Sequence, residues 1–298
     1  MSLKQTIVVA GGTGDLGGRL VKALVLRGAD VRALVRQRAS EAARAALREV
    51  GATVTEVDFD DEAALTAACE GASCVVSTLS GLRDVIVGMQ TKLLDAAVRA
   101  GVPRFVPSDF AADFTTLPPG GNRNFDLRRE FGQILDRAPI AATSVLNGAF
   151  ADMLTGQAPI VLFKIHRVLY WQNADQPLDF TAKDDVAAFT AYAALDDAAP
   201  RVLRIASDTL TARDLAAVMS EITGTPFRLL RAGSLQRLGA IIALARRFFP
   251  QEGEVFPVWQ GMQYLRDMFG GKAVLRTLDN DRYGTHPWTT ARDVLSAR

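Results

Sequence analysis

Near its start the chain carries Gly11-Gly12-Thr13-Gly14-Asp15-Leu16-Gly17, a run whose residue types suit anion binding. It reads as GxGxxG from Gly12 and as GxxGxxG from Gly11. Glycines at this spacing permit a tight turn, close backbone approach to a pyrophosphate and close helix–strand packing. The amides and the positive dipole of a helix start then hold the anion. A carboxylate on Asp15 would repel phosphate but suits the dipole, so it is expected to turn away while backbone amides bind. About twenty residues on, where such sites place their ribose-reading residue, Arg36 ends the next apolar run. Arg38 is close by, and no acid occurs until Glu41. An acid there would bond the 2′-hydroxyl of NAD, whereas a cation pairs with the 2′-phosphate of NADP. The cofactor expected is therefore NADP(H). An arginine–phosphate contact is worth about 1.5–3 kcal/mol, a preference of about tenfold to a hundredfold.

Further candidate cofactor contacts close the later apolar runs. Asp58 stands where a carboxylate can bond the adenine amine, although a helix cap by Asp60 or Asp61 fits that acidic stretch equally. Thr78, Leu79 and Ser80 are expected to border the ribose and pyrophosphate. Ser108 and Asp109 end the fifth run, where active-site groups gather in such sheets. Asp109 has two open readings, an acid raised by burial or a cap for the next turn. His166 sits in an alternating apolar stretch and His286 precedes Pro287-Trp288; both read as structural. They lie far apart with no Cys or Glu pattern beside them, so no metal site is expected. Neither GxSxG nor a P-loop lysine occurs, which leaves hydrolase and kinase chemistry without support.

These residues need a frame, and the first half supplies one. Short apolar runs at Thr6–Ala10, Asp30–Val35, Thr53–Val57, Cys74–Leu79, Arg104–Pro107 and Thr143–Asn147 alternate with helical patterns. The helices expected are Leu16–Leu26, Glu41–Val50, Glu62–Cys69, Val85–Ala100 and Phe125–Arg137. Runs apolar throughout suit parallel strands buried on both faces. Strand–helix alternation then implies an α/β fold with a doubly wound parallel Rossmann sheet. Gly28, Gly51, Gly71 and Gly101 fall where helices should end in a left-handed cap. After Phe150 the rhythm breaks. A strand-like Ile160–Tyr170 leads to a helix at Asp185–Ala194, a strand at Arg201–Ala206 and a helix opened by Thr211, with Asp214 placed for a capping box. The expected division is 1–150 as the dinucleotide domain and 151–298 as a mixed segment that completes the sheet and forms a smaller, partly helical substrate lobe. Tyr170-Trp171, Phe248-Phe249, Phe256, Trp259, Tyr264 and Phe269 either line a pocket for a flat substrate or build a helical core. The segment from Pro257 to Phe269 is expected to cap the substrate cleft.

Composition narrows the partners. The net charge of +1, from 34 basic and 33 acidic residues, provides no field for nucleic acid or a membrane surface. The longest apolar stretch of the second half, Leu238–Ala245, is too short to span a bilayer and reads as a core helix ending in Arg246-Arg247. Two cysteines, Cys69 and Cys74, form no disulfide framework, and a cytoplasmic location is expected.

Taken together, GGTGDLG, Arg36, Val106-Pro107-Ser108-Asp109-Phe110 and Thr143-Ser144-Val145-Leu146-Asn147-Gly148-Ala149-Phe150 resemble the NmrA-like branch of the atypical short-chain dehydrogenase/reductases, beside the isoflavone reductase-like enzymes. The resemblance covers about the first 150 residues, with Asp184-Asp185-Val186-Ala187 its best later marker. It implies an extended Rossmann fold, NADP(H) and a C-terminal substrate lobe. Asn147, Gly148, Ala149 and Phe150 are expected cofactor contacts, with the nicotinamide held near Gly148–Phe150. Two departures bear on the chemistry. Short-chain dehydrogenases use a tyrosine four residues before a lysine. Tyr170, Tyr192, Tyr264 and Tyr283 all lack that lysine. Isoflavone reductase-like enzymes use a helix lysine, whose position falls on Arg128 in Phe125-Asp126-Leu127-Arg128. An arginine stays protonated and is no general acid or base. It can bind an anion or a developing oxyanion, or simply be a surface helix residue. The expectation is an NADPH-dependent reductase of a small carbonyl, quinone or activated alkene, with Arg128 or Asp109 helping to polarise or protonate the acceptor. The alternative is a non-catalytic NADP(H) sensor that reports redox state to a protein partner.

Overall fold

The apolar runs of the first half become strands because their β-branched residues pack on both faces of a sheet. The computed structural model describes residues 4–285 and 287–298. Its first elements are β1 (Thr6–Ala10), α1 (Asp15–Leu26), β2 (Asp30–Val35), α2 (Glu41–Glu49), β3 (Thr53–Glu56), α3 (Glu62–Cys69), β4 (Cys74–Ser77), α4 (Gln90–Arg99), β5 (Arg104–Val106), α5 (Arg123–Leu135) and β6 (Ala141–Ala142). There follow β7 (Ser144–Leu146), β8 (Ala149–Phe150), β9 (Val161–Leu162), β10 (Arg167–Trp171), β11 (Leu178–Thr181), α6 (Lys183–Leu195), β12 (Val202–Arg204), β13 (Asp208–Leu210) and α7 (Ala212–Thr223). The chain ends with β14 (Arg228–Gly233), α8 (Leu235–Phe248), α9 (Val258–Phe269) and α10 (Ala291–Ser296).

The chain divides into two compact units. The first takes Met1–Asp109, Leu127–Val145 and Val186–Leu203; the second takes Phe110–Asp126, Leu146–Asp185 and Arg204–Arg298. The first unit holds the expected sheet, in the order β3-β2-β1-β4-β5-β6, with every neighbouring pair parallel. Strand order reverses beside β1, whose neighbours are β2 and β4. Ligands of open α/β sheets bind outside the strand C-termini at such a reversal. Ile7, Val8, Val9, Val75 and Val76 are wholly buried, as are Leu93, Phe105 and Phe131 around them.

Two local readings change. The sixth strand of the sheet is Ala141–Ala142, and Ser144–Leu146 forms a separate strand. The chain leaves β5 after Thr143: the Thr143 amide donates to the Phe105 carbonyl, but the Ser144 amide donates to that of Arg201. The buried Arg104 guanidinium fills the bend, donating to Thr143 Oγ1 at 2.6 Å and to the Asp197 carbonyl at 2.9 Å. The helix expected over Val85–Ala100 begins instead as a π-helical turn, Asp84–Met89. Gln90, fully buried just after it, donates to the Ile86 carbonyl at 2.7 Å and accepts from the Ser108 amide at 2.9 Å. The four helix-ending glycines do adopt positive φ, between 70° and 95°.

In the second unit β10 lies between β14 and β9, and β11 between β13 and β8. A core containing Trp171, Phe180, Leu215, Leu238 and Phe269 joins these sheets to the helices. Thr211 and Asp214 form the capping box of α7. In α8, Leu238 and Ile242 are buried and Arg246 and Arg247 occupy the last turn. The stretch expected as one strand through His166 is broken, because His166 takes a left-handed φ of 50° between β9 and β10. Its ring stands edge-on to Phe227, with centroids 5.2 Å apart. His286 lies outside the described residues. No helix of the described residues is long and apolar enough to cross a membrane.

Candidate functional site

The glycine turn is built by steric necessity. Gly11 has φ of +90°, and a Cβ there would stand 2.7 Å from Thr78 Oγ1. A Cβ on Gly17 would stand 2.2 Å from the Gly11 carbonyl oxygen. Thr78 closes this wall by donating from Oγ1 to the Ala10 carbonyl at 3.0 Å. Helix α1 thus starts directly against the end of β1, and its first-turn amides face outward as a helix N-terminus must. Asp15 turns along the helix to Arg19, with Oδ1 2.8 Å from Nε.

A cavity of about 260 Å³ opens beside this turn. Gly11, Thr13, Arg36, Arg38 and Leu79 line it, with Phe59 and Met89 adding apolar wall. The acids around it are committed elsewhere. Arg44 pairs with Glu56 at 2.5 Å and Arg48 with Glu41 at 2.6 Å. Arg36 and Arg38 are exposed and hold no side-chain partner among the described residues. The rim therefore carries two uncompensated cations beside a helix N-terminus, which is a site for phosphate groups. The backbone cradle that any Cβ would fill, together with this pair, fits a 2′-phosphorylated dinucleotide.

Other expected contacts lie apart from the cavity lining. The Asp58 carboxylate accepts from the Asp60 amide at 2.9 Å, and Asp61 caps α3 through the Ala64 amide. Lys92 is paired to Asp60. Ser80 is exposed; Gly12 and Gly14 belong to the turn and Leu16 to α1, all outside the lining. Ser108 is buried and donates from Oγ to the Leu79 carbonyl at 2.7 Å, so it braces the cavity wall. Asn147, Gly148, Ala149 and Phe150 belong to the second unit. Asn147 is fully buried with Oδ1 unpartnered, and a Cβ on Gly148 would stand 2.3 Å from the Asp179 carbonyl oxygen.

A second cluster sits at the C-terminal end of β5. Asp109 is 3% exposed, and its Oδ2 accepts from Ser144 Oγ at 2.7 Å. Among the described residues its Oδ1 has no hydrogen-bond partner. Burial pushes this carboxyl above the usual range for Asp; the Ser144 hydrogen bond and the charges of Arg128 and Arg201 oppose the rise, while Asp136 adds to it. The structure thus brings Arg128 and Asp109 into one electrostatic neighbourhood. It also adds residues that sequence reasoning missed. Arg201 Nη1 donates to Ser144 Oγ at 2.7 Å, and Arg201 is itself held by Asp136 at 2.8 Å. No local motif marks this group, since its members come from residues 109, 136, 144 and 201 and meet only through the fold.

The aromatic residues divide between core and surface. Trp171 and Phe269 belong to the core of the second unit. Trp259 is 2% exposed and donates from its indole to the Pro250 carbonyl at 2.8 Å, with Arg123 over its ring at 4.7 Å. Tyr264 stands edge-on to Phe125. Phe248, Phe249 and Phe256 are exposed.

Comparison with known proteins places this arrangement. Residues 3–252 match the model of the NmrA-like family. The chain is 31% identical to pinoresinol reductase 1 of Arabidopsis thaliana, over 74% of this chain and 75% of that one. It is 32% identical to an isoflavone reductase homolog of Zea mays, over 76% and 77%. The solved structure of AtPrR2 with NADP+ and (+)pinoresinol superposes with a TM-score of 0.84 at 22% identity, covering 100% of this chain and 99% of that one. At that identity the likeness establishes the Rossmann-type fold.

Proposed function

We propose that this chain, which belongs to the NmrA-like family, is an NADPH-dependent reductase of a small carbonyl, quinone or activated alkene. The observation that carries the reading is the uncompensated pair Arg36 and Arg38 at the lip of the cavity beside Gly11 and Thr13. The two guanidinium groups bind the 2′-phosphate, and the first-turn amides of α1 hold the pyrophosphate. When bound, the dinucleotide supplies a hydride. The protein supplies charge and a proton. Arg128, permanently cationic, stabilises negative charge developing on the acceptor oxygen. Asp109, whose carboxyl burial pushes above the usual range, gives that oxygen its proton. This division replaces the tyrosine–lysine pair that the sequence lacks.

Two measurements test the reading. In titrations, Arg36→Ala should weaken NADPH binding about tenfold to a hundredfold, the equivalent of 1.5–3 kcal/mol. NADH binding should change little. Equal losses for both would remove the phosphate role. Next, NADPH oxidation is followed with quinones, enones and aldehydes. Turnover that falls about 10²–10³-fold in Arg128→Ala, with cofactor affinity retained, supports the oxyanion role.

An arginine at the lysine position also favours a second reading, a sensor that binds NADP(H) and signals to a protein partner. Tight binding without turnover, and a strong preference for one redox form, would select it.

A further inference from the structure

Arginine only donates hydrogen bonds, and a serine hydroxyl has one proton to give. These two facts impose a direction on the chain that ends at Asp109. Arg201 Nη1 lies 2.7 Å from Ser144 Oγ, so that oxygen must accept there. The single Ser144 proton is then left for its other neighbour, Asp109 Oδ2, also at 2.7 Å. Among the described residues the Ser144 hydroxyl has no other acceptor for its proton, so Asp109 Oδ2 is the acceptor of this bond. Asp136 keeps the donor in place by binding Arg201 Nε at 2.9 Å. Asp109 Oδ1 is buried and has no hydrogen-bond partner among the described residues.

We propose that the one-way chain Arg201–Ser144–Asp109 fixes Oδ1 as the oxygen of Asp109 that carries and delivers the proton, which makes Ser144 and Arg201 positioning residues for proton transfer. The inference deepens the reductase reading and rests on it for the delivery step. In that step the Oδ1–H bond breaks and an O–H bond forms on the acceptor oxygen. The electron pair of the broken bond stays on Asp109, and the hydride from NADPH supplies the reducing pair. The resulting carboxylate keeps its Ser144 hydrogen bond and faces the charges of Arg128 and Arg201, which stabilise it, and that of Asp136, which opposes it. Removing the Ser144 proton takes away a bond that favours the ionised form, so the carboxyl should hold its proton to higher pH.

The chain can be read directly from the carboxyl vibration, independently of turnover. Infrared difference spectra against Asp109→Asn should isolate a protonated carboxyl band that disappears as pH rises. With the proton on Oδ1, Oδ2 is the carbonyl oxygen that Ser144 bonds. Ser144→Ala should therefore move the band to higher wavenumber and move its disappearance to higher pH. Ser144→Thr, which keeps a hydroxyl, should restore both, and Arg201→Gln should move the pH response in the direction of Ser144→Ala. A band unchanged in Ser144→Ala, with the fold intact by circular dichroism, overturns the inference. In turnover assays, the alkaline fall in kcat should shift upward in Ser144→Ala while KM for NADPH stays constant. If the band shifts as expected but Asp109→Asn retains full turnover, the hydrogen-bond direction stands and the delivery step falls.

Discussion

Arg36 and Arg38 owe their unopposed charge to two neighbours that never touch them. Arg44 occupies Glu56 and Arg48 occupies Glu41, so these two acids do not draw on the cavity. Arg36 was legible from the sequence because it follows the glycine turn at a fixed interval. The pairing around it was not, since Glu56 arrives from β3. At the same scale, Asp109 shows how burial outweighs local charge. Its carboxyl is raised from the ordinary 3.8 despite a serine donor and two arginines. A folded-state rise means that the native protein holds this proton where the unfolded chain has lost it. Stability is then greatest below the unfolded value and declines as pH climbs through the folded one. Asp109→Asn has no charge to bury. Its melting temperature relative to the wild type should accordingly rise as pH climbs above the ordinary aspartate value of 3.8. A difference independent of pH would show that Asp109 ionises freely in the native state.

At the scale of elements, the junction of β1 and α1 depends on absent side chains. The Cβ positions of Gly11 and Gly17 converge on Thr78, whose hydroxyl is already bonded to Ala10. Gly17→Ala should destabilise the first unit by about 1–3 kcal/mol through overpacking. It should also abolish dinucleotide binding, as urea unfolding and titration would show. Unchanged affinity would mean that the turn tolerates separation of helix and strand. The strands and helices of the first unit were readable because their periodicities are strong. The departures lie where a distant residue intervenes. Arg104 and Arg201 draw the chain off β5 at Thr143 and Ser144, and neither distance is written in local pattern. His166 was misread as strand because its alternating neighbours hide a left-handed turn.

On the scale of the whole molecule, the chain carries nearly balanced charge, so its partners are set by sites rather than by net field. The thiols offer a readout for the first unit. Burial pushes Cys69 up to about 11 and Cys74 up to about 12. Both are free and buried. Alkylation at neutral pH should be negligible in the native protein and complete in denaturant, with rates that track unfolding of the first unit. Rapid native labelling would show that the end of α3 and the start of β4 open without global unfolding. The expectation of a parallel sheet came from composition and rhythm. How the second half divides its aromatic residues did not, because core and surface aromatics share one sequence signature. Trp259 and Phe256 stand three positions apart, one buried and one exposed.

The π-helical turn at Asp84–Met89 has a meaning in the language of insertions and deletions. A π turn holds one residue more than the α turn it replaces. That surplus residue sets the rotation of everything after it, including Gln90, which latches the Ser108 amide. Removing a single residue there would leave a better helix by local standards. It would also swing Gln90 by about 100°, off β5 and off the serine that braces Leu79. The irregularity is thus a phase adjuster, and descendants of this chain can change the letters of that turn far more freely than its length.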